Sequence, residues 1–315
     1  MLQKIAEEAL SYGKGFVLKG KTADYIPELG KANPEKLGIC IFTTDGERVC
    51  CGDTEKRFTM QSICKVVTLA AALQKLGPKE IFSHVMMEPS GDAFNSILKL
   101  DLASNRPYNP MINAGAIEVI SLLSPAVSFE ELLDITRRLC MDLDIQLDSS
   151  VYHSEYTTGD RNRAIGYLLK SKGVLIGDVQ TAVDLYFRMC SLSVNARSLA
   201  GLGLNLANGG VDPVTGTRLL DENNTHIIKT LMFTCGMYDG SGKFAVRTGI
   251  PAKSGVGGGI TAAAKNGIGL GTYGPSLDAK GNSIGGTHAL EYLSEKLPLH
   301  TFGETTTDTD EESVS

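Results

Sequence analysis

The chain of 315 residues has no tryptophan, no apolar run of membrane-spanning length and no excess of positive charge. Its longest apolar stretches, such as Val66-Val67-Thr68-Leu69-Ala70-Ala71-Ala72-Leu73, fall far short of the roughly 20 residues a helix needs to cross a bilayer. With 36 acidic against 30 basic side chains the net charge is −6, which leaves no electrostatic footprint for nucleic acid. C-x-x-C pairs are also missing. The seven cysteines (Cys40, Cys50, Cys51, Cys64, Cys140, Cys190 and Cys235) are odd in number and lack metal-ligand spacing, so no zinc or other metal site is expected. Near the N-terminus Glu7 and Glu8 stand where a secretory signal would be apolar, and the segment reads as an amphipathic helix. A cytoplasmic protein with reduced thiols is expected. Adjacent Cys50 and Cys51 would point to opposite faces of a strand, which argues against a bond between them.

What is present is a globular composition, 42% hydrophobic and 21% charged, with enough length for one large domain or two ordinary ones. Five acids and no base fall in residues 304–315, and without them the balance is 31 acidic to 30 basic. A solvated acidic tail is expected there. Glycine is concentrated: 20 of the 35 lie between Gly201 and Gly286, around a segment where backbone and substrate could approach closely.

The hydrophobic pattern changes along the chain. Residues 37–43 and 48–51, joined by Asp45-Gly46, read as a β-hairpin. From about 60 to 235 the period is mostly helical, with helices expected over 62–76, 113–123, 128–141, 162–170 and 179–190. Beyond 240 short strands are expected at 244–247, 252–256, 260–264 and 268–272, then a last helix near 287–297. Strands at both ends with helices between predict an α+β fold, one antiparallel sheet assembled from the two termini and flanked by helices. The expected division is a discontinuous sheet layer (1–60 with 240–303), a mostly helical part (61–239) and the tail. A cleft between sheet and helices is the natural site.

Chemistry concentrates in two short motifs. In Gln61-Ser62-Ile63-Cys64-Lys65 the serine and lysine are three apart at a helix start and share one face. Apolar neighbours would desolvate Lys65 and lower its pKa, freeing an amine to accept the serine proton. Alone the motif is weak, since Ser96-Ile97-Leu98-Lys99 fits it too. The second motif, Lys253-Ser254-Gly255 ahead of Val256-Gly257-Gly258-Gly259, is the usual companion of S-x-x-K in serine β-lactamases and penicillin-binding proteins. Jointly they favour a Ser-Lys acyl-transfer enzyme.

Over nearly its whole length the sequence resembles the bacterial glutaminases, a serine-dependent, β-lactamase-related family. The resemblance runs through Tyr25-Ile26-Pro27, Gln61 to Lys65, Asn109-Pro110-Met111-Ile112-Asn113, Ser154-Glu155, Arg161-Asn162-Arg163, Asp184-Leu185-Tyr186, Cys235-Gly236-Met237-Tyr238-Asp239-Gly240 and Lys253 to Gly259. It implies a β-lactamase/transpeptidase-like fold and an amidohydrolase converting L-glutamine to L-glutamate and ammonia. Ser62 would be nucleophile and Lys65 base, with Tyr238 relaying a proton to the leaving ammonia. The N–H groups of Ser62 and Val256 would form the oxyanion hole. Tyr25, Gln61, Asn113, Glu155, Asn162 and Tyr186 would hold substrate, and Lys253, Ser254 and Gly255 would support the site. Physical chemistry agrees, because a zwitterion needs a carboxylate for its ammonium (Glu155) and neutral donors for its own carboxylate.

Structural roles stay open for single residues: Asn113 and Asn162 as helix caps, Tyr186 as a core aromatic. The resemblance implies no metal or organic cofactor, and a homodimer or homotetramer. One departure is Cys64, where the family has serine; it would pack similarly but place an oxidisable thiol beside the nucleophile. The five histidines favour no Ser-His-Asp triad. His153 is expected as a wall of the pocket and not a base. Two rivals remain: a penicillin-recognising acyl-enzyme, disfavoured by the missing signal segment, and a non-catalytic amino-acid-binding protein, disfavoured by intact Ser62, Lys65, Tyr238 and Lys253.

Overall fold

The computed structural model describes residues 1–90 and 106–303. The Ser96–Lys99 motif and the acidic tail therefore lie outside the described residues.

The expected sheet is there, and it is built from both chain ends. Five antiparallel strands run in the order β2-β1-β8-β7-β6, from β1 (Gly38–Thr43), β2 (Arg48–Gly52), β6 (Ala252–Ser254), β7 (Gly259–Ala264) and β8 (Ile268–Tyr273). One face packs on α1 (Leu2–Lys14) and α12 (Ile284–Lys296), where Ala6, Ala9, Ile39, Ile260, Leu270 and Leu290 are buried together. The other face is covered by α9 (Ala196–Ala207) through Cys40, Phe42, Ala200 and Leu204. That helix lies so close that a Cβ on Gly271 would stand 2.0 Å from the Ala196 carbonyl oxygen, so only glycine fits there.

Between the two sets of strands lie the helices. In chain order they are α2 (Cys64–Leu76), α3 (Pro78–His84), α4 (Asn113–Leu123), α5 (Phe129–Leu139), α6 (Ser149–Thr158), α7 (Asp160–Ser171), α8 (Val179–Cys190), and then α10 (Glu222–Cys235) after α9. Their starts follow local chemistry. Ser128 accepts the Glu131 N–H at 3.1 Å to cap α5, and Asp178 accepts the Thr181 N–H at 2.7 Å to cap α8. Residues Cys64 to Leu73 of α2 are all buried, the pattern of a helix enclosed on every side. Lys65 is one of them, so the fold itself takes its amine out of water.

A second small antiparallel sheet, β3-β5-β4, uses β3 (Phe58–Thr59), β4 (Gln146–Leu147) and β5 (Leu192–Val194). Such short strands leave no period-2 signature, and none was expected. Their effect is to position the segment that carries Ser62: β3 pairs with β5, and the next N–H, of Met60, donates to the Leu192 carbonyl at 2.9 Å.

Two expectations are corrected. Residues 244–247 are not a strand but the end of α11 (Ser241–Arg247). Four residues are too few to separate the two periods. Locally, the Ser241 hydroxyl accepts the Met237 N–H at 3.0 Å and donates to the Tyr238 carbonyl at 2.7 Å, closing the turn from which the helix grows. Nor are all seven thiols free: Cys40 and Cys50 form a disulfide, while the other five cysteines are free and buried. The hairpin register sets Cys40 directly opposite Cys50 with Cα atoms 4.3 Å apart, the close spacing of a non-hydrogen-bonded cross-strand pair. Cys51, on the other face, packs against the core under α1. Thiol titration of the denatured, unreduced protein is expected to give five thiols per chain, and seven after reduction. Seven before reduction would remove the bond.

Candidate active site

The chain leaves β3 through Met60 and enters a short 3₁₀ turn, Gln61–Ile63, that runs directly into α2. Gln61 has a φ of +50°, a left-handed conformation that a non-glycine residue adopts at a cost of order 1 kcal/mol or more. The turn holds Ser62 at the head of the buried helix. Three residues on, the Lys65 Nζ donates to Ser62 Oγ at 2.9 Å and to Asn113 Oδ1 at 2.8 Å. Lys65 is fully buried, and burial lowers its pKa from 10.5 to about 8.

Asn113 opens α4 without capping it; its amide instead joins Lys65 to the pocket wall. Its Nδ2 donates to Asn162 Oδ1 at 2.9 Å, and the Tyr186 hydroxyl donates to Asn113 Oδ1 at 3.3 Å. Asn162 sits in the first turn of α7, past its cap residue Gly159, and Tyr186 on α8 is buried. The capping alternatives for both asparagines are thus replaced by side-chain bonds to one another. On the opposite wall Glu155 of α6 accepts from Gln61 Nε2 at 2.6 Å. Burial raises the Glu155 carboxyl to about 8, against the opposing pull of Gln61 and Lys65.

From the sheet side come β6 and the turn after it. Lys253 is fully buried, donating to the carbonyls of Gly236 (2.9 Å) and Ser254 (2.7 Å), with its Nζ 4.3 Å from the Tyr238 ring centroid. Burial holds its pKa well below the ordinary value, and the like charge of Lys65 adds to this. Tyr238, like Gln61, is left-handed, at φ +55°. Its phenol is raised by burial, while a hydrogen bond with Ser62 works the other way. A Cβ on Gly255 would stand 2.5 Å from the Met60 carbonyl oxygen, so this glycine lets the strand close onto the Gln61–Ile63 turn. Among the described residues the Val256 N–H has no acceptor.

These elements enclose a cavity of about 90 Å³ whose lining includes Tyr25, Gln61, Ser62, Asn113, Glu155, Asn162, Tyr186 and Val256. Tyr25, 53% exposed, stands at its rim. Tyr238 meets Ser62 from outside this lining, and Lys253 lies behind Tyr238. His153 does not line the cavity and is exposed on α6, against expectation. Sequence reasoning passed over Thr158, Gly159, Arg161, Phe187 and Cys190, which do line it. Their signal was helical: Cys190 follows Tyr186 by four residues on α8, one turn along the same face. Its Sγ is 3.7 Å from that of Cys64. Among the described residues no three His, Cys, Asp or Glu side chains converge as a metal-binding group.

A site made of a serine, a desolvated lysine, a free backbone N–H and a buried carboxylate is equipped for acyl transfer on a small amine-bearing substrate. Comparison with known proteins points the same way. The family model described as Glutaminase matches residues 20–302. The chain is similar to Glutaminase 2 of Clostridium perfringens, 52% identical over 305 residues that cover 96% of this chain and 100% of that protein. It is 47% identical over 304 residues to the glutaminase of Clostridioides difficile, covering 95% of this chain and 98% of that one. A solved structure of a probable glutaminase from Bacillus subtilis, complexed with 6-diazo-5-oxo-L-norleucine, matches with a TM-score of 0.87 at 34% identity, over 95% of this chain and 97% of the other. With fold, motif order and sequence agreeing over almost the entire length, the chain belongs to the glutaminase family.

Proposed function

We propose that the protein hydrolyses the side-chain amide of L-glutamine to L-glutamate and ammonia through an ester on Ser62. The observation that carries this reading is the 2.9 Å contact between Ser62 Oγ and a fully buried Lys65 amine, in a cavity that also holds Glu155. In the neutral amine the same contact reverses, and the serine hydroxyl donates to the lysine nitrogen. Ser62 Oγ attacks the amide carbon as its proton passes to Lys65. The N–H groups of Ser62 and Val256 take the oxyanion. The C–N bond then breaks, and the leaving nitrogen gains a proton through Tyr238 from Lys65. Water attacks the glutamyl ester, returns a proton to Ser62 Oγ and releases glutamate.

Recognition follows from charge. Glu155 takes the substrate ammonium, and Tyr25, Gln61, Asn113, Asn162 and Tyr186 supply neutral donors and acceptors around the rest. Lys253, Ser254 and Gly255 support Tyr238 and the Val256 turn. A covalent route is further supported by the Bacillus subtilis glutaminase that forms a covalent complex with 5-oxo-L-norleucine on reaction with 6-diazo-5-oxo-L-norleucine. That compound carries a ketone where glutamine carries its amide. A buried carboxylate in a small polar cavity favours an amino acid over a penicillin.

The same reading takes residues 1–60 with 240–303 as a sheet layer and 61–239 as a helical part, with β3 reaching across to pair with β5. It takes the protein as a homodimer or homotetramer in the cytoplasm. No helix among the described residues is long and apolar enough to cross a membrane; five cysteines are free, and Cys40 and Cys50 are bonded to each other.

Ser62→Ala is expected to lower ammonia release from glutamine by at least about a thousandfold with the fold intact by circular dichroism. Undiminished release would remove Ser62 as nucleophile. Glu155→Gln keeps the size but not the charge, and should lower kcat/KM by roughly 30-fold or more, mostly in KM. An unchanged KM would refute the ammonium contact. The pH dependence has a definite sign. Lys65 must be neutral and Glu155 anionic, both stand near 8 in the empty site, and both lose a proton as pH rises. kcat/KM should therefore rise with pH, by at least about tenfold between pH 6.5 and 8. A flat profile over that range would contradict the assigned base.

A further inference from the structure

A second cavity, about 410 Å³, shares no lining residue with the first. It lies between the turn after α1, the Met237–Arg247 segment and the start of α12, and its volume is within the ~300–1,000 Å³ usual for small-molecule sites. Its walls are largely apolar, from Phe16, Phe244 and Ile284, and one is braced by the stacking of Phe16 on His288 with centroids 3.7 Å apart.

The charges around it do not cancel. Of its two acids, Asp278 is turned into its own loop, accepting the N–H groups of Lys280 and Asn282 at 2.9 Å each. Glu291 is held by His288 at 2.9 Å and Arg247 at 3.7 Å. Lys280 pairs with Asp239 at 3.4 Å. Lys19 and Lys243 remain, both exposed and without a carboxylate partner among the described residues. An apolar chamber lined by Lys19, Lys243, Arg247 and Lys280 against Asp278 and Glu291 keeps an excess of positive charge and selects a ligand with a flat apolar body and one negative charge.

The cavity also touches the backbone that positions Tyr238. Asn282 Nδ2 donates to the Met237 carbonyl at 3.2 Å, and Lys280 Nζ donates to the Asp239 carbonyl at 2.8 Å. Both lysine and asparagine line the chamber, so the residues on either side of left-handed Tyr238 are gripped from its wall. We infer that this cavity is a second ligand site, taking a small aromatic carboxylate, and that its occupancy is felt at Tyr238.

The absence of tryptophan makes the test direct, because indole emission then reports only an added probe. Indole-3-acetate is titrated with the full chain by fluorescence anisotropy, with saturating L-glutamate present to fill the first cavity. Expected are saturable binding, at least about tenfold weaker binding of neutral indole-3-acetamide, and a similar loss in the double variant K19E/K243E. That variant should turn over glutamine like the parent when no probe is present. In the parent the probe should change kcat by about twofold or more, and in the variant it should not. No saturable binding up to about 10 mM, equal binding of acid and amide, or unweakened binding by the variant would overturn the site. Displacement by glutamate would assign the probe to the first cavity and overturn it equally. Binding with no change in kcat would overturn the link to Tyr238.

Discussion

The site depends on one amine kept out of water. Lys65 belongs to the Cys64–Leu73 stretch of α2, buried on every side, and among the described residues its nitrogen hydrogen-bonds Ser62 and Asn113. Lowering its pKa from 10.5 to about 8 is a bias of roughly 3 kcal/mol toward the neutral form. At pH 7 that means about one amine in ten is neutral, against roughly one in three thousand for a lysine in water. Two hydrogen bonds of about 1 kcal/mol each could not produce such a change, so burial decides it. The cost is borne by the core around it, in which α4 packs beside α2 and α8 packs against α4, bringing Asn113 and Tyr186 with them.

A second constraint is strain at two non-glycine residues. Gln61 and Tyr238 both adopt left-handed backbone conformations, and they flank Ser62 from opposite sides of the cleft. Each is over-determined by its surroundings. Gln61 is fixed through Thr59 and Glu155, at 3.1 and 2.6 Å. The Tyr238 turn is held by Ser241, Asn282 and the Lys253 amine over its ring. Outliers that persist only because neighbours enforce them are what pre-organisation of a reactive serine requires. Gly255 completes the arrangement, since any side chain there would push β6 off the Met60 carbonyl.

Much of this was legible in the sequence, for identifiable reasons. Long periodic segments such as Asn113–Leu123 and Val179–Cys190 carry their boundaries in apolar spacing, helped in the second by the Asp178 cap, and these helices end where expected. Residues joined by short spacing, Ser62 with Lys65 and Lys253 with Gly255, could be found by motif. The convergence of Tyr25, Asn113, Glu155, Asn162 and Tyr186 came from resemblance, because nothing local to any of them points to a common pocket. What escaped was non-local or short. The β3-β5-β4 sheet consists of two- and three-residue strands, and α11 is set by a serine bonding back four residues. The Cys40–Cys50 bond depends on hairpin register, which a search for adjacent or C-x-x-C cysteines does not examine.

The two ionisable groups of the pocket also explain why the empty site is tolerated. With Lys65 and Glu155 both near 8, burial opposes charging either one, and each weakly stabilises the other's ion. At pH 7 both groups are then mostly protonated, so the resting cavity holds a Lys65 cation beside a neutral Glu155, and the hydrogen bonds of that cation to Ser62 and Asn113 partly offset its burial. An arriving ammonium changes this balance. It stabilises the Glu155 carboxylate, draws its pKa down, and with a second positive charge nearby makes the cationic form of Lys65 less favourable. In the proposed reaction the ammonium also offsets the pull of the ionised Glu155 on the Lys65 cation, so recognition does not hinder formation of the base. On the proposed reading, a neutral amide lacking the ammonium would leave Glu155 either protonated or an unpaired buried anion, so the carboxylate selects for the amino acid by charge.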